Sequence, residues 1–217
     1  ITNIKQSKSF SKFNLRVKLP NQKISNIKNF KIPLLGIHNI KNAVSAIGVA
    51  LTIGIPIPKI KLGLMNFKGV QRRFNKIFSY NNIEFYDDYA HHPTEIKVVL
   101  QGIKKVFNNF EKVCIFQPHR ISRLKDLKKE FTYAFKDADT VILCPIYSAG
   151  EKIKLGFSYN DFARELIKNS MVKLFIVQDN NELAQYLKQN MHGKKIVVGM
   201  GAGSISNWIK NLPNLMK

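Results

Sequence analysis

The amino-acid sequence predicts an α/β fold with a parallel sheet over residues 79–217, preceded by a shorter, differently built segment at 1–78. Three observations carry this. From Ile83 onward, short apolar runs at 83–87, 112–117, 140–146, 172–177 and 194–199 alternate with helical patterns at about 93–107, 124–136, 159–169, 181–190 and 205–211. Strand–helix units repeated in this way bury their apolar faces as a parallel sheet wrapped on both sides, with right-handed crossovers. Composition also changes near residues 78–83: all 14 acidic residues lie at Glu84 or later, while the first 83 residues carry 15 of the 35 Lys and Arg. Finally, polar and basic residues gather just after the strands, where ligands bind in open α/β sheets.

Residues 1–35 alternate short apolar groups (Phe10, Phe13, Leu15, Val17, then Ile24, Ile27, Phe30) with Ser, Asn and Lys, which predicts two or three half-exposed strands. Gly36 opens a helix to about Ile53, with Ile40, Ala43, Val44, Ile47 and Leu51 as its buried stripe. Asn39 and Asn42 fall near its start, where a polar side chain can cap the helix or read a ligand edge. A second helix follows Pro58, with Ile60, Leu64 and Phe67 on its inner face, and runs into Lys68-Gly69-Val70-Gln71-Arg72-Arg73-Phe74. Paired arginines after a glycine suit phosphate or ribose contacts, and a solvated charge pair is the plainer alternative.

The richest stretch is Asp87-Asp88-Tyr89-Ala90-His91-His92-Pro93-Thr94-Glu95, a strand-to-helix turn. Pro93 fits the first helical position and Glu95 suits the first turn. The helix after it should bury Ile96, Val99, Leu100, Ile103, Val106 and Phe107. The second strand ends in Phe116-Gln117-Pro118-His119-Arg120-Ile121-Ser122-Arg123, whose His119, Arg120 and Arg123 can face an anion together. The third ends in Ile146-Tyr147-Ser148-Ala149-Gly150-Glu151 and the fifth in Gly199-Met200-Gly201-Ala202-Gly203-Ser204. That glycine run imitates a dinucleotide fingerprint, but it follows the last strand and no acid lies downstream to hold a ribose, so NAD is discarded.

The totals exclude several classes. Hydrophobic content is 45%, and no apolar run approaches the roughly 20 residues of a membrane-spanning helix. The chain begins at Ile1 without a signal-peptide core, and it is expected to be a piece of something longer. Cys114 and Cys144 lie in buried strands and read as inert thiols of a reducing compartment. No Cys/His spacing predicts a metal site. A net charge of +21 points toward nucleic acid, but the lysines are dispersed among Ile and Asn with no compact basic helix, so no nucleic-acid partner is expected.

The strings Gly36-x-His38-Asn39-x-x-Asn42-Ala43, Gln71-Arg72-Arg73-Phe74, Asp87 to Glu95 and Phe116 to Arg120 resemble the Mur ligase family, as do Ile146 to Glu151 and Gly199 to Gly203. Within it the likeness is to the members that add the first amino acid of the peptidoglycan stem. The recycling members that attach a preformed peptide share a double histidine, and a non-catalytic basic module is the alternative from another class. The resemblance implies that residues 1–78 are the end of a central ATPase domain lacking its phosphate loop, and that 79–217 form a Rossmann-like amino-acid-binding domain. It implies cytoplasmic, ATP-dependent ligation of L-alanine to UDP-N-acetylmuramic acid through an acyl phosphate. The magnesium ligands and the sugar-binding part would lie in the rest of the same polypeptide, so this chain alone is expected to be inactive. By the family pattern Asn39 and Asn42 would contact adenine, and Arg73 (with Arg72 as a weaker candidate) and Asp88 would reach ribose and phosphates from the domain junction. Tyr89, His91, His119, Arg120 and Arg123 would form the alanine pocket, with His91, His119 and Arg120 closest to the chemistry and either histidine able to take the ammonium proton. Ile37 and Gln71 depart from the common arginine and glycine of that pattern.

Overall fold

The computed structural model describes residues 1–7, 10–18, 23–34, 36–67, 69–151 and 158–217; Lys68, singled out above, lies outside them. The chain divides into two compact units, Ile1–Val70 and Gln71–Lys217. The expected boundary at 78/79 would cut a hairpin, because Asn75–Tyr80 pairs with the strand that follows it. The charge change near residue 83 therefore does not coincide with the break between units.

In the first unit β1 (Thr2–Gln6), β2 (Ser11–Val17) and β3 (Ser25–Ile32) form an antiparallel sheet in that order, followed by α1 (Ile37–Thr52) and α2 (Ile57–Met65). The period-2 pattern of β2 buries Phe13 and Leu15 and exposes Lys12 and Arg16. Phe13 stacks on Phe30, and Ile40, Ala43 and Ile47 of α1 complete the core with Ile60. Gly36 enters α1 at φ 95, a conformation that side chains with a Cβ avoid. Phe67, expected on the inner face of α2, lies past the helix end and is 41% exposed.

The second unit contains β4 (Asn75–Tyr80), β5 (Ile83–Asp88), α3 (Pro93–Val106), β6 (Glu111–Phe116), α4 (Ile121–Asp126), α5 (Lys128–Tyr133), β7 (Thr140–Leu143), α6 (Tyr159–Ser170), β8 (Lys173–Ile176), α7 (Asn180–Asn190), β9 (Lys195–Met200) and α8 (Ile205–Leu215). The sheet order is β4-β5-β9-β6-β7-β8, parallel except for β4, an antiparallel edge strand that the sequence reading did not separate. The single helix expected over 124–136 is two, because Leu127 leaves the helical region at φ −109, ψ 25. Val106, expected on the buried stripe of α3, is at the frayed last turn and 69% exposed.

Handedness fixes which helix covers which face. The chain crosses the sheet in one direction from β5 to β8, so right-handed crossovers lay α3, α4–α5 and α6 on one side. The return from β8 to β9 runs the other way and places α7, with α8 after it, on the opposite side. The strands are buried on both faces: Cys114 and Phe116 point into the first core, and Val113 and Ile115 into the second. The last strand slots between β5 and β6, so β5 and β9 send their chains to opposite faces. A crevice at the carboxyl ends of β5, β9 and β6 follows from that divergence.

Close packing under β9 is directly testable. A Cβ on Gly199 would fall 2.5 Å from Ile209 Cγ1 on α8, which is fully buried. Gly199→Ala should therefore lower stability by ~1–3 kcal/mol through overpacking, read as a shift in the urea midpoint; an unchanged midpoint would contradict this packing.

Candidate functional site

The rim of that crevice is held by two adjacent carboxylates at the end of β5, Asp87 and Asp88, only 1% and 2% exposed. Asp88 accepts the Phe74 and Ala90 backbone N–H groups, each at 2.8 Å, one on each carboxylate oxygen. Burial pushes its carboxyl pKa above the usual range, partly offset by those two amides and by the Arg73 charge. Asp87 faces the other way. It accepts the Ser206 hydroxyl of α8 at 2.6 Å and lies 3.4 Å from Arg72 Nε. Arg72 in turn donates to the Gly201 carbonyl and spreads over the Tyr89 ring, 4.8 Å from its centroid. The Tyr89 N–H donates to the Arg72 carbonyl at 2.7 Å, closing a tight knot between the arginine pair and the strand end. Arg73, the favoured member of that pair, is exposed.

The two histidines of the next turn have separate tasks. His92 is the N-cap of α3: its ring accepts the Thr94 N–H, while the Glu95 carboxylate accepts the His91 and His92 N–H groups. Burial alone would raise the Glu95 pKa, but those amides and the His91 and Arg73 charges hold it below the ordinary value. His91 is thereby left to the crevice, with its Nδ1 2.9 Å from the Tyr89 carbonyl and 3.4 Å from Glu95 Oε2. Its ring packs edge-on to Tyr89 and to His119, at centroid distances of 5.0 and 5.9 Å.

His119 comes from the end of β6. Its Nδ1 lies 3.3 Å from Arg123 Nη1, one turn along α4, and its ring stacks on Tyr147. Burial lowers its pKa, and the Arg123, His91 and Arg120 charges lower it further against an opposing pull from Glu151. Arg120 is exposed at φ 68, and its N–H donates to the Tyr147 carbonyl at 2.8 Å. The Tyr147 N–H donates to the Pro118 carbonyl, so the loops after β6 and β7 form a short parallel bridge. Glu151 then accepts the Ser122 hydroxyl and N–H at the start of α4, which drops its carboxyl pKa.

Gln117 accounts for the glycine run that imitates a dinucleotide site. Its buried side chain accepts the Ile205 N–H at 2.9 Å and bonds Ser204, filling the amino end of α8 where a phosphate would dock. Gly201 and Gly203 are glycines for close approach: a Cβ would meet the Gln117 carbonyl at 2.7 Å or the Tyr147 ring at 2.5 Å.

The structure thus gathers Tyr89, His91, His119 and Arg123 at one rim, with Arg120 on the adjoining turn. Asn39 and Asn42 lie in the first unit, where they share one side of the first turns of α1, three residues apart. The N-cap of that helix is Gly36, which has no side chain to cap with. Sequence reasoning missed Glu95, Tyr147 and Gln117 as supports; only Glu95, three residues past a helix-start His, carried a local signal. A roughly 880 Å³ concavity lies at the opposite rim, lined by Lys112, Asp139, Met171 and Lys173, but its Lys112–Asp139 pair at 3.0 Å already neutralises itself. The polar groups converge instead at the switch point, the candidate site. Among the described residues no three His, Cys, Asp or Glu side chains cluster to hold a metal ion, and no helix is long and apolar enough to cross a membrane.

The family model described as Mur ligase, glutamate ligase domain, matches residues 72–203. A UDP-N-acetylmuramate–L-alanine ligase of Pelagibacter ubique is 62% identical over 216 residues, covering 100% of this chain and 47% of the relative. The crystal structure of a UDP-N-acetylmuramate–alanine ligase from Thermotoga maritima superposes with a TM-score of 0.67 at 28% identity, covering 88% of this chain and 42% of that one. A murein peptide ligase structure from Psychrobacter arcticus gives 0.71 over 98% and 43%; at 19% identity it shows the fold alone. The chain spans less than half the length of these relatives.

Two outcomes check the site as built. Asp88→Ala leaves two amides without their acceptor and should cost about 2–4 kcal/mol, measured by chemical denaturation. The His119 ring should titrate below its ordinary 6.5 in an NMR pH series. Because its pKa is depressed in the folded state, its share of stability is present above 6.5 and is lost as pH falls through the folded value; a midpoint at or above 6.5 would refute the surroundings described.

Proposed function

The chain belongs to the Mur ligase family, and from that premise we propose that it is the amino-acid-binding part of an ATP-dependent ligase joining L-alanine to UDP-N-acetylmuramic acid. The observation that supports this most is the convergence of Tyr89, His91, His119 and Arg123, from two strand ends, on one crevice beside Arg120. A zwitterionic amino acid needs a fork of donors for its carboxylate, an acceptor for its ammonium and little space for a methyl side chain. Arg120 and Arg123 supply the fork. An imidazole at the rim supplies the acceptor, and the Tyr89 and His119 rings bound the side-chain space. Activation of the sugar carboxylate as an acyl phosphate leaves this part of the protein with positioning and charge stabilisation, not with a nucleophile of its own.

The nucleotide contacts we propose are Asn39 and Asn42 for adenine in the first unit, and Arg73 with Asp88 for ribose and phosphate in the second. With Asp88 oxygens already held by the Phe74 and Ala90 amides, its part is chiefly to fix the turn that carries Arg73. The first unit is read as the end of an ATP-binding domain. The reading assigns magnesium and the UDP-sugar to the length of the relatives that this chain does not span, and the cytoplasm as the setting, in keeping with free buried thiols at Cys114 and Cys144.

Joining this chain behind the preceding part of the Pelagibacter relative should give ADP release that requires both L-alanine and UDP-N-acetylmuramic acid. Arg120→Ala should cut kcat/KM for alanine by about 10-fold to 10²-fold, the cost of losing a charged hydrogen-bond donor to the alanine carboxylate. Use of a murein tripeptide in preference to alanine would assign the chain to the recycling ligases instead, and no ADP release from a folded product would end the proposal.

A further inference from the structure

We infer that the two histidines facing the crevice are held with opposite hydrogen-bonding polarity, so that His91 alone takes the ammonium proton and His119 acts as a neutral donor. The inference rests on the ligase reading above for its substrate, but its core is a property of this chain. A carbonyl oxygen only accepts, so the 2.9 Å contact to Tyr89 fixes the proton of His91 on Nδ1. The Nε2 lone pair of His91 is then left for an incoming acid. A guanidinium only donates, so the 3.3 Å contact from Arg123 fixes the lone pair of His119 on its Nδ1. Its proton therefore sits on Nε2, and that atom has nothing with which to accept another.

The surroundings reinforce the division. His91 faces the Glu95 carboxylate at 3.4 Å on its own helix, Tyr89 (itself under Arg72) on the preceding turn, and His119 across the crevice. A proton arriving at Nε2 makes an imidazolium whose Nδ1–H already points at the Tyr89 carbonyl beside a carboxylate, the arrangement that orients and stabilises a general base. His119 faces Arg123, Arg120 and His91, with Glu151 as the opposing charge and Tyr147 stacked on its ring. A positive charge on that ring meets two guanidinium groups that repel it, against the single Glu151 carboxylate.

The resulting step balances. The alanine ammonium gives one proton to His91 Nε2, and the freed nitrogen pair forms the bond to the acyl carbon. The bond from that carbon to the phosphate oxygen breaks with its electrons on oxygen. The second nitrogen proton leaves on the departing phosphate, giving the amide and hydrogen phosphate. His91 then returns its proton to water. His119 Nε2–H and the two arginines meanwhile hold the acceptor oxygens of the amino acid.

The tautomers are read directly by long-range proton–nitrogen NMR correlations on this chain labelled with ¹⁵N-histidine. The expected result is an Nδ1–H pattern for His91 and an Nε2–H pattern for His119, and Arg123→Met should release His119 into a mixture while leaving His91 unchanged. An Nε2–H pattern at His91 would overturn the assignment whether or not the chain takes part in ligation. In the joined ligase, His91→Gln should lower kcat by about 10²-fold and abolish the acidic limb of its pH profile, whereas His119→Gln should keep that limb. The reverse pattern would also overturn the inference. Absence of ligation with the tautomers as expected would sink the functional reading alone.

Discussion

Two neighbouring carboxylates buried at a strand end are the constraint from which the rim is built. A buried charge without partners costs several kcal/mol, so Asp87 and Asp88 must each recruit donors, and the pleat sends them to opposite sides. Asp88 gathers the Phe74 and Ala90 amides; Asp87 gathers Ser206 and Arg72. The turn after β5, the turn before β4 and the start of α8 are thereby tied to one point. Tyr89 and His91 inherit their places from that tie, because the turn that bears them begins where it ends. One Asp87 oxygen and Arg72 Nε, both buried, make no hydrogen bond among the described residues; Arg72 Nε meets the other Asp87 oxygen as an ion pair at 3.4 Å.

Much of this was legible in the sequence, and what was not has a physical reason. The strand–helix alternation was plain because strands covered on both faces read as unbroken apolar runs, as in Val113 to Phe116. The rim residues were legible because they cluster in two strings, each just past a strand. The edge strand β4 was not, since Lys76 and Ser79 interrupt it and only one face is covered. Its signal was the Asn81-Asn82 pair, at φ 50 and 62, a turn that closes a hairpin between apolar runs. Gln117 reaching Ile205 and Tyr147 stacking on His119 were out of reach because they join residues far apart in sequence that only the strand order brings together.

Part of the positive charge gathers at the same rim. Arg72, Arg73, Arg120 and Arg123 border the crevice, interleaved with carboxylates. Their carboxylate neighbours, Asp87, Asp88, Glu95 and Glu151, are each occupied by backbone or hydroxyl donors.

The position of β9 has a consequence for how the protein is made. It is the last strand of its sheet to leave the ribosome, yet it lies between two strands synthesised long before it, pairing Asp87 with Gly199 and Phe116 with Met200. Until residues 195–200 emerge, β5 and β6 have no bond to each other and the crevice does not exist. Contacts of such high sequence separation are the slow ones in folding, and the nascent sheet keeps two open edges facing a gap one strand wide. Truncation just before β9 would leave most of this chain translated and the β5 and β6 sides of the rim unjoined, with edges of the kind that pair with foreign strands.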